Sequence, residues 1–170
     1  MRSMPTALRR AQSATVWSRS QPSLTYSLAE TETAIHDFTR DTVAAMRDAG
    51  VQPDMVQIGN ELNNGFLWPV GRISGPNGND GFAALLSAAS AAVREVDPQI
   101  RIMVHLANGH DNTLYRSVFS ALVARGVDFD VIGLSFYPNW HNTPGRLPMN
   151  DLQYNMNDVS EYFNRPVVVV

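Results

Sequence analysis

Helical and strand-like segments alternate along most of this 170-residue chain, and this order limits the possible folds more than any other feature of the sequence. Apolar residues recur at spacings of three and four in the segments that we predict as helices, 31–49, 82–96, 113–125 and 150–163. Short apolar runs predict strands at 55–58, 100–106, 129–136 and 167–170. Strands that alternate with helices form a parallel sheet covered by helices, so we expect the α/β fold class.

Polar residues are expected to cap the starts of the first two predicted helices. Ser27 or Thr31 suits the start of the first helix, and Asp80 suits the start of the second. The side-chain oxygens of these residues can accept backbone N–H groups that have no partner within the helix. Gly50 follows the first helix where a stop is expected.

Two folds place helices around a parallel sheet, the doubly wound sheet and the (β/α)8 barrel. Functional residue types stand at the carboxyl ends of three successive predicted strands: Asn60 with Glu61, then His105, then Tyr137. Barrel enzymes draw their catalytic groups from the carboxyl ends of several strands. No glycine-rich phosphate loop follows these strands, which weakens a dinucleotide-binding interpretation. We therefore predict part of a (β/α)8 barrel.

The first predicted strand ends in Gly59, Asn60 and Glu61, three residue types that strands disfavour. Residues that are unfavourable for a secondary-structure element, placed at the end of an otherwise well-formed one, are typical of a functional site. Phe66 and Trp68 follow in a polar loop, and aromatic rings suit the apolar C–H faces of sugars. A solvated loop glutamate is the alternative for Glu61, and spacing alone leaves both interpretations open.

Composition excludes several classes of partner and chemistry. The formal net charge of −3 gives no reason to expect nucleic acid as a partner. No apolar run approaches the roughly 20 residues that a membrane span needs, so no membrane is expected either. The chain has no cysteine, which excludes disulfides and thiol catalysis. Residues 1–28 have no period and lack the apolar core of a secretory signal, so we predict an irregular segment before a domain over 29–170.

Three strings of the sequence carry a resemblance to a known family. They are VQIGNELNNGFLWPVG at 56–71, IRIMVHLANGHDN at 100–112 and DFDVIGLSFYPNWH at 128–141. The first resembles the acid/base segment of the endo-β-1,4-galactanases, glycoside hydrolase family 53, without a gap. The other two are similar to the family's fifth-strand and sixth-strand segments. The resemblance implies a partial TIM barrel, about strands four to seven with their helices, from a retaining enzyme that cleaves β-1,4-galactosidic bonds in galactan or arabinogalactan.

The resemblance also implies roles for single residues at the strand ends. Glu61 corresponds to the general acid/base, which protonates the leaving oxygen of a glycoside. Asn60 corresponds to the residue that hydrogen-bonds the sugar 2-hydroxyl. Tyr137 is similar to the tyrosine that hydrogen-bonds the nucleophile, and a buried structural tyrosine is the alternative.

Three more residues are expected to bind the substrate. Trp68 and Trp140 would stack on galactose rings, and packing of a loop onto the barrel is the alternative for both. His105 would line the same cleft or hold a carboxylate, and a structural histidine is the alternative. The expected partner is therefore a galactan or arabinogalactan polysaccharide.

The family's nucleophile is a second glutamate directly after the valine run of its seventh strand. The chain ends at Val170, so this glutamate is expected just beyond it, and the chain alone is expected to be inactive. Two alternatives stay open. One is another retaining glycanase of the same clan, acting on mannan, xylan or β-glucan. The other is a non-catalytic remnant of a barrel.

No metal or cofactor is expected. His105, His110 and Asp111 lie close in sequence, but their spacing matches no common ligand set. Asp111 and His141 are interpreted as turn or loop residues. An extracellular location is expected only because a polymeric substrate cannot enter a cell.

Overall fold

The computed structural model describes residues 26–138 and 148–170. Over these residues the helices are α1 Leu28–Asp48, α2 Gly78–Val96, α3 Asn112–Val123 and α4 Pro148–Phe163. The strands are β1 Met55–Ile58, β2 Gly65–Phe66, β3 Gly71–Arg72, β4 Arg101–Leu106, β5 Val131–Leu134 and β6 Val167–Val169. Every predicted helix and strand is present with boundaries shifted by a few residues, whereas the short strands β2 and β3 were not predicted. Within the described ranges, no helix combines the length and hydropathy that crossing a membrane requires.

The four longer strands form one parallel sheet in the order β1-β4-β5-β6. Ile58 of β1 lies opposite Val104 of β4, and Leu106 of β4 lies opposite Leu134 of β5. The order in space is the order along the chain, without the reversal that a doubly wound sheet has at its switch point. This order favours the barrel over the doubly wound sheet. The strands β2 and β3 form a separate antiparallel hairpin in the loop after β1.

The two faces of the sheet carry different residues because successive strand side chains point to opposite sides. Val104 and Ile132 belong to the main apolar core, together with residues of α1, α2, α3 and α4. Met103, His105 and Gly133 alternate with these residues and lie on the opposite face. His105 lies opposite Gly133, where an added Cβ would come within 2.8 Å of Met103 Sδ. This face is therefore closely packed beside His105.

The start of α1 is capped as one of the two predicted alternatives requires. Ser27 Oγ accepts the Glu30 N–H at 3.3 Å, and the Glu30 carboxylate accepts the Ser27 N–H at 2.8 Å. This is the reciprocal pair of a capping box, which satisfies two backbone donors at the helix start. Thr31 instead lies inside the first turn and donates its hydroxyl to the Ser27 carbonyl at 2.9 Å.

The prediction that Asp80 caps the second helix is wrong. The helix α2 begins at Gly78, and its N-cap Asn77 makes no side-chain capping bond. Asn77 donates its side-chain amide to the Val70 carbonyl at 2.9 Å instead. Asp80 therefore lies in the first turn, where it accepts a hydrogen bond from Arg125 Nε at 2.7 Å.

Candidate active site

The carboxyl ends of β1, β4 and β5 meet at one edge of the sheet because these strands are parallel. The chain that leaves β1 crosses this edge, where the Leu62 N–H donates to the His105 carbonyl at 2.9 Å. Asn63 Oδ1 accepts the Ala107 N–H at 2.7 Å, and Asn63 Nδ2 donates to the Ala107 carbonyl at 3.4 Å. These bonds fix the loop that carries Glu61 to the end of β4.

The backbone at Gly59 and Glu61 has the left-handed conformation, with φ of 72° and 51°. Glycine adopts this conformation readily, whereas a residue with a side chain loses on the order of 1–3 kcal/mol there. Such unfavourable conformations cluster at functional sites, where the surrounding structure holds them. The exposed Glu61 is thus held in a tight turn directly after β1.

Glu61 is held at two points by a bridge of two buried side chains. The Glu61 N–H donates to His105 Nδ1 at 3.2 Å. His105 Nε2 lies 2.8 Å from Ser135 Oγ, and the Ser135 hydroxyl donates to Glu61 Oε1 at 2.9 Å. His105 and Ser135 are 2% and 4% exposed, so both lie beneath the exposed carboxylate. The backbone and the carboxylate of one glutamate are therefore anchored by the same pair.

The surroundings of His105 favour its neutral form. Burial lowers the pKa of His105 below its ordinary value of 6.5, although the negative charge of Glu61 opposes that shift. A neutral imidazole has one N–H donor and one bare nitrogen acceptor. The ring can thus accept the Glu61 N–H on one side and donate to Ser135 on the other.

Asn60 and Gln57 complete the polar group around the histidine. Asn60 is exposed, and its side-chain oxygen lies 3.2 Å from His105 Nδ1. Gln57 Nε2 donates to the Gly59 carbonyl at 2.7 Å and lies 3.3 Å from Asn60 Oδ1. These contacts fix the two residues that precede Glu61.

Comparison with known proteins identifies the family of this chain. The family model of glycosyl hydrolase family 53 matches residues 21–170. The chain belongs to glycosyl hydrolase family 53. Its parallel sheet of four strands, wound in one direction and covered by helices, is part of a (β/α)8 barrel, which confirms the predicted fold.

Relatives and solved structures of this family resemble the chain over most of its length. The Ignisphaera aggregans GH53 catalytic domain superposes with a TM-score of 0.76 at 39% identity, covering 85% of this chain and 38% of that domain. An uncharacterized protein of Niallia circulans is 38% identical over 85% of this chain and 39% of its own length. The arabinogalactan endo-beta-1,4-galactanase of Humicola insolens is 34% identical over 80% of this chain and 41% of its own length. The chain thus spans about two fifths of the curated relatives it matches.

Trp68 lies in the loop between β2 and β3 of this family 53 chain. Its indole is 52% exposed, and its Nε1–H donates to the Asn64 carbonyl at 3.2 Å. The Arg72 guanidinium lies 4.4 Å from the ring centroid and stacks on the indole. The ring is therefore fixed in place while about half of its surface stays open, and its contact with substrate stays a prediction.

The other predicted binding residues follow β5. Tyr137 is 51% exposed in this part of the barrel. Its predicted contact with a nucleophile stays a prediction. Trp140 and His141 lie outside the described residues.

The segment after β4 has a structural role at the start of α3. The Asp111 carboxylate accepts the Leu114 N–H at 3.0 Å and caps that helix. The His110 ring lies against Phe136, with 6.5 Å between ring centroids. Over residues 26–138 and 148–170, no three His, Asp or Glu side chains are grouped in a way that could hold a metal ion.

Ser135 was not predicted as a functional residue, although it makes the direct hydrogen bond to Glu61. The sequence did contain a signal for it. Ser135 lies two residues after Gly133, and Gly133 pairs with His105, so strand alternation brings Ser135 to the face that carries His105. Finding it required the register between β4 and β5, which the sequence does not state.

Proposed function

We propose that this chain supplies the acid/base half of a retaining endo-β-1,4-galactanase acting on galactan or arabinogalactan. Glu61 is the general acid/base, and Asn60 binds the sugar 2-hydroxyl beside it. The single observation that carries the proposal is the position of Glu61. It is an exposed carboxylate at the carboxyl edge of the parallel sheet, held by Ser135 and by its own backbone amide in a family 53 chain.

The name of the Humicola insolens relative supports the substrate class, since that protein is an arabinogalactan endo-beta-1,4-galactanase. A half-exposed tryptophan at Trp68, in the loop that follows the Glu61 turn along the chain, also suits a sugar ring. The polymer is too large to enter a cell, so we infer that the protein acts outside the cell. Detection of the protein in the culture medium of its source cells tests that location.

A retaining hydrolase needs a second carboxylate, about 5–5.5 Å from the first. We place it directly after β6. The Val170 N–H donates to the Leu134 carbonyl at 2.9 Å, so the chain is still aligned with β5 at this point. A residue after Val170 would emerge at the same sheet edge as Glu61, because β5 and β6 are parallel.

The chemistry then proceeds in two displacements. The second carboxylate attacks the anomeric carbon while Glu61 gives its proton to the glycosidic oxygen, which leaves with the bonding electron pair. A water molecule next attacks the anomeric carbon of the glycosyl-enzyme. Glu61 takes a proton from that water, and the nucleophile is released as a carboxylate.

The test measures reducing sugar released from β-1,4-galactan by this chain extended at both ends to eight strands, hereafter the completed barrel. Glu61→Gln should lower kcat by about 100- to 10,000-fold, which is the usual contribution of general acid–base catalysis. Glu161→Gln, on the exposed surface of α4, is the matched control and should leave kcat unchanged. The first products should retain the β configuration when followed by NMR.

Each contrary result rejects a different part of the proposal. A preference for mannan, xylan or β-glucan would keep Glu61 but reject the galactan assignment. Products with inverted configuration would reject the retaining mechanism. A completed barrel that folds and hydrolyses no glycan would support a non-catalytic remnant, and hydrolysis by residues 1–170 alone would reject the second carboxylate after β6.

A further inference from the structure

We propose that His105 and Ser135 are positioning residues that keep Glu61 Oε1 as a permanent hydrogen-bond acceptor, so that the catalytic proton is carried by Glu61 Oε2 alone. The inference rests on the proposed function, because it concerns the acid/base role of Glu61. It gives the two buried side chains a role through Glu61 and not through contact with sugar.

The direction of each hydrogen bond follows from one backbone group. A peptide N–H can only donate, and the Glu61 N–H lies 3.2 Å from His105 Nδ1, so we assign Nδ1 as the bare acceptor. The Gln57 side-chain nitrogen, 3.4 Å from Nδ1, can act as a second donor to it. The single ring proton of the neutral imidazole is therefore on Nε2, which donates to Ser135 Oγ at 2.8 Å. The one hydroxyl proton of Ser135 is then directed to Glu61 Oε1 at 2.9 Å.

This chain of donors leaves one place for the exchanging proton. Glu61 Oε1 accepts from Ser135 whether the carboxyl group is charged or protonated, so a carboxyl proton on Oε1 would face the Ser135 proton. The proton therefore resides on Oε2. It moves from Oε2 to the glycosidic oxygen in the first displacement and returns to Oε2 from water in the second, while His105 and Ser135 keep their own protons.

His105 is positioned by the sheet, and Ser135 follows the last residue of β5. The Ser135 N–H donates to the Leu106 carbonyl at 3.0 Å, which ties it to β4. His105 is in β4, opposite Gly133 of β5, and an added Cβ at Gly133 would lie 3.2 Å from His105 Cβ. The same Cβ would lie 2.8 Å from Met103 Sδ, so the side chains of Met103 and His105 both pack closely over Gly133. Functional groups held by packed strands are more precisely placed than groups held by loops.

A competing proton arrangement makes the inference testable. With the proton on His105 Nδ1, Nε2 would accept from Ser135, and Ser135 would accept a proton from Glu61 Oε1. The catalytic proton would then lie on the buried side of the carboxyl group. In that arrangement Nδ1–H could donate to Asn60 Oδ1, 3.2 Å away. It would, however, set Nδ1–H against the Glu61 N–H, and both groups are donors.

The first test is the tautomer of His105 in the completed barrel labelled with 15N-histidine. Long-range proton–nitrogen NMR distinguishes the two ring nitrogens, and His105→Gln identifies the signal. We expect a neutral ring with the proton on Nε2. A proton on Nδ1 would overturn the inference, and this readout does not depend on catalytic activity.

The second test compares kcat/KM on two substrates in the same protein. Ser135→Ala should lower kcat/KM for galactan by about tenfold to hundredfold, since a hydrogen bond to a charged group is lost. The value for a dinitrophenyl β-galactobioside should change by less than about threefold, because that leaving group departs without a proton from the acid. Ser135→Thr keeps the hydroxyl and should recover most of the galactan activity.

The matched control is Ser90→Ala. Ser90 is 2% exposed and donates to the Asp128 carbonyl at 2.6 Å, away from the Glu61 turn. It should lower stability without a difference between the two substrates. Equal losses on both substrates for Ser135→Ala would overturn the positioning role. An inactive wild-type barrel with the proton on Nε2 would instead reject the proposed function, and an active one with the proton on Nδ1 would reject this inference alone.

Discussion

Replacement of Gly59 by alanine should disturb the Glu61 turn through both the backbone and the packing beneath it. Gly59 has a φ of 72°, and an added Cβ would lie 2.7 Å from Leu62 Cδ2. Leu62 is 4% exposed, belongs to the apolar core and donates its N–H to His105. Because Leu62 is buried, its side chain must repack against its core neighbours to make room for the added Cβ.

The magnitude can be separated into two parts with Gly50 as a reference. Gly50 has a φ of 79° and no atom within 4 Å of an added Cβ, so Gly50→Ala measures the backbone effect alone. An alanine in the left-handed region destabilises the folded state by roughly 1–2 kcal/mol. Alanine also lowers the conformational entropy of the unfolded chain, which offsets about 0.4–1 kcal/mol of this. Gly59→Ala adds an overpacked contact worth about 1–3 kcal/mol. Gly59→Ala should therefore destabilise the chain by about 1–3 kcal/mol more than Gly50→Ala.

Urea unfolding of the 170-residue chain, followed by circular dichroism, measures this difference as a shift of the midpoint. In the completed barrel, Gly59→Ala should also reduce galactan hydrolysis, whereas Gly50→Ala should not. Equal destabilisation by the two substitutions would refute the packing argument. Unchanged hydrolysis by Gly59→Ala would refute the claim that this turn places Glu61.

Three further substitutions test separate interactions by urea unfolding of the same chain. Asn63→Ala leaves the Ala107 N–H without its 2.7 Å acceptor and should lower the free energy of unfolding by about 1–3 kcal/mol. An unchanged free energy of unfolding would mean that water takes over the hydrogen bond of the lost amide. Ser27→Ala removes the capping box of α1 and should lose about 1 kcal/mol, with Thr31→Ala as the milder comparison. Burial alone would raise the pKa of Asp130, but hydrogen bonds from the Ile102 amide and a neighbouring guanidinium hold it below the ordinary 3.8. The charged Asp130 carboxylate therefore stabilises the fold above about pH 4, and this stabilisation is lost as the pH falls through its folded pKa. Asp130→Asn should make the free energy of unfolding fall less steeply between about pH 5 and pH 3. The same pH dependence in the variant and the wild type would contradict this.

Local sequence determined the elements and their order. The helical spacing of apolar residues and the short apolar runs act within windows of a few residues, so each could be assigned without knowledge of the rest of the chain. The same holds for the Ser27 cap, whose partner Glu30 is three residues away. The Gly59-Asn60-Glu61 tip was conspicuous for the same local reason, since it breaks strand preferences at a strand end.

Contacts between distant segments were decided only by the tertiary structure. Asp80 looked like a helix cap, but α2 begins before it, and its carboxylate pairs with Arg125, 45 residues away. Ser135 reaches Glu61 across 74 residues of sequence, through the register of β4 with β5. A hydrogen bond of this kind depends on strand order and register, which arise from packing of the whole sheet. The sequence by itself therefore predicted which carboxylate stands at the candidate site, and the tertiary structure decided which side chains hold it.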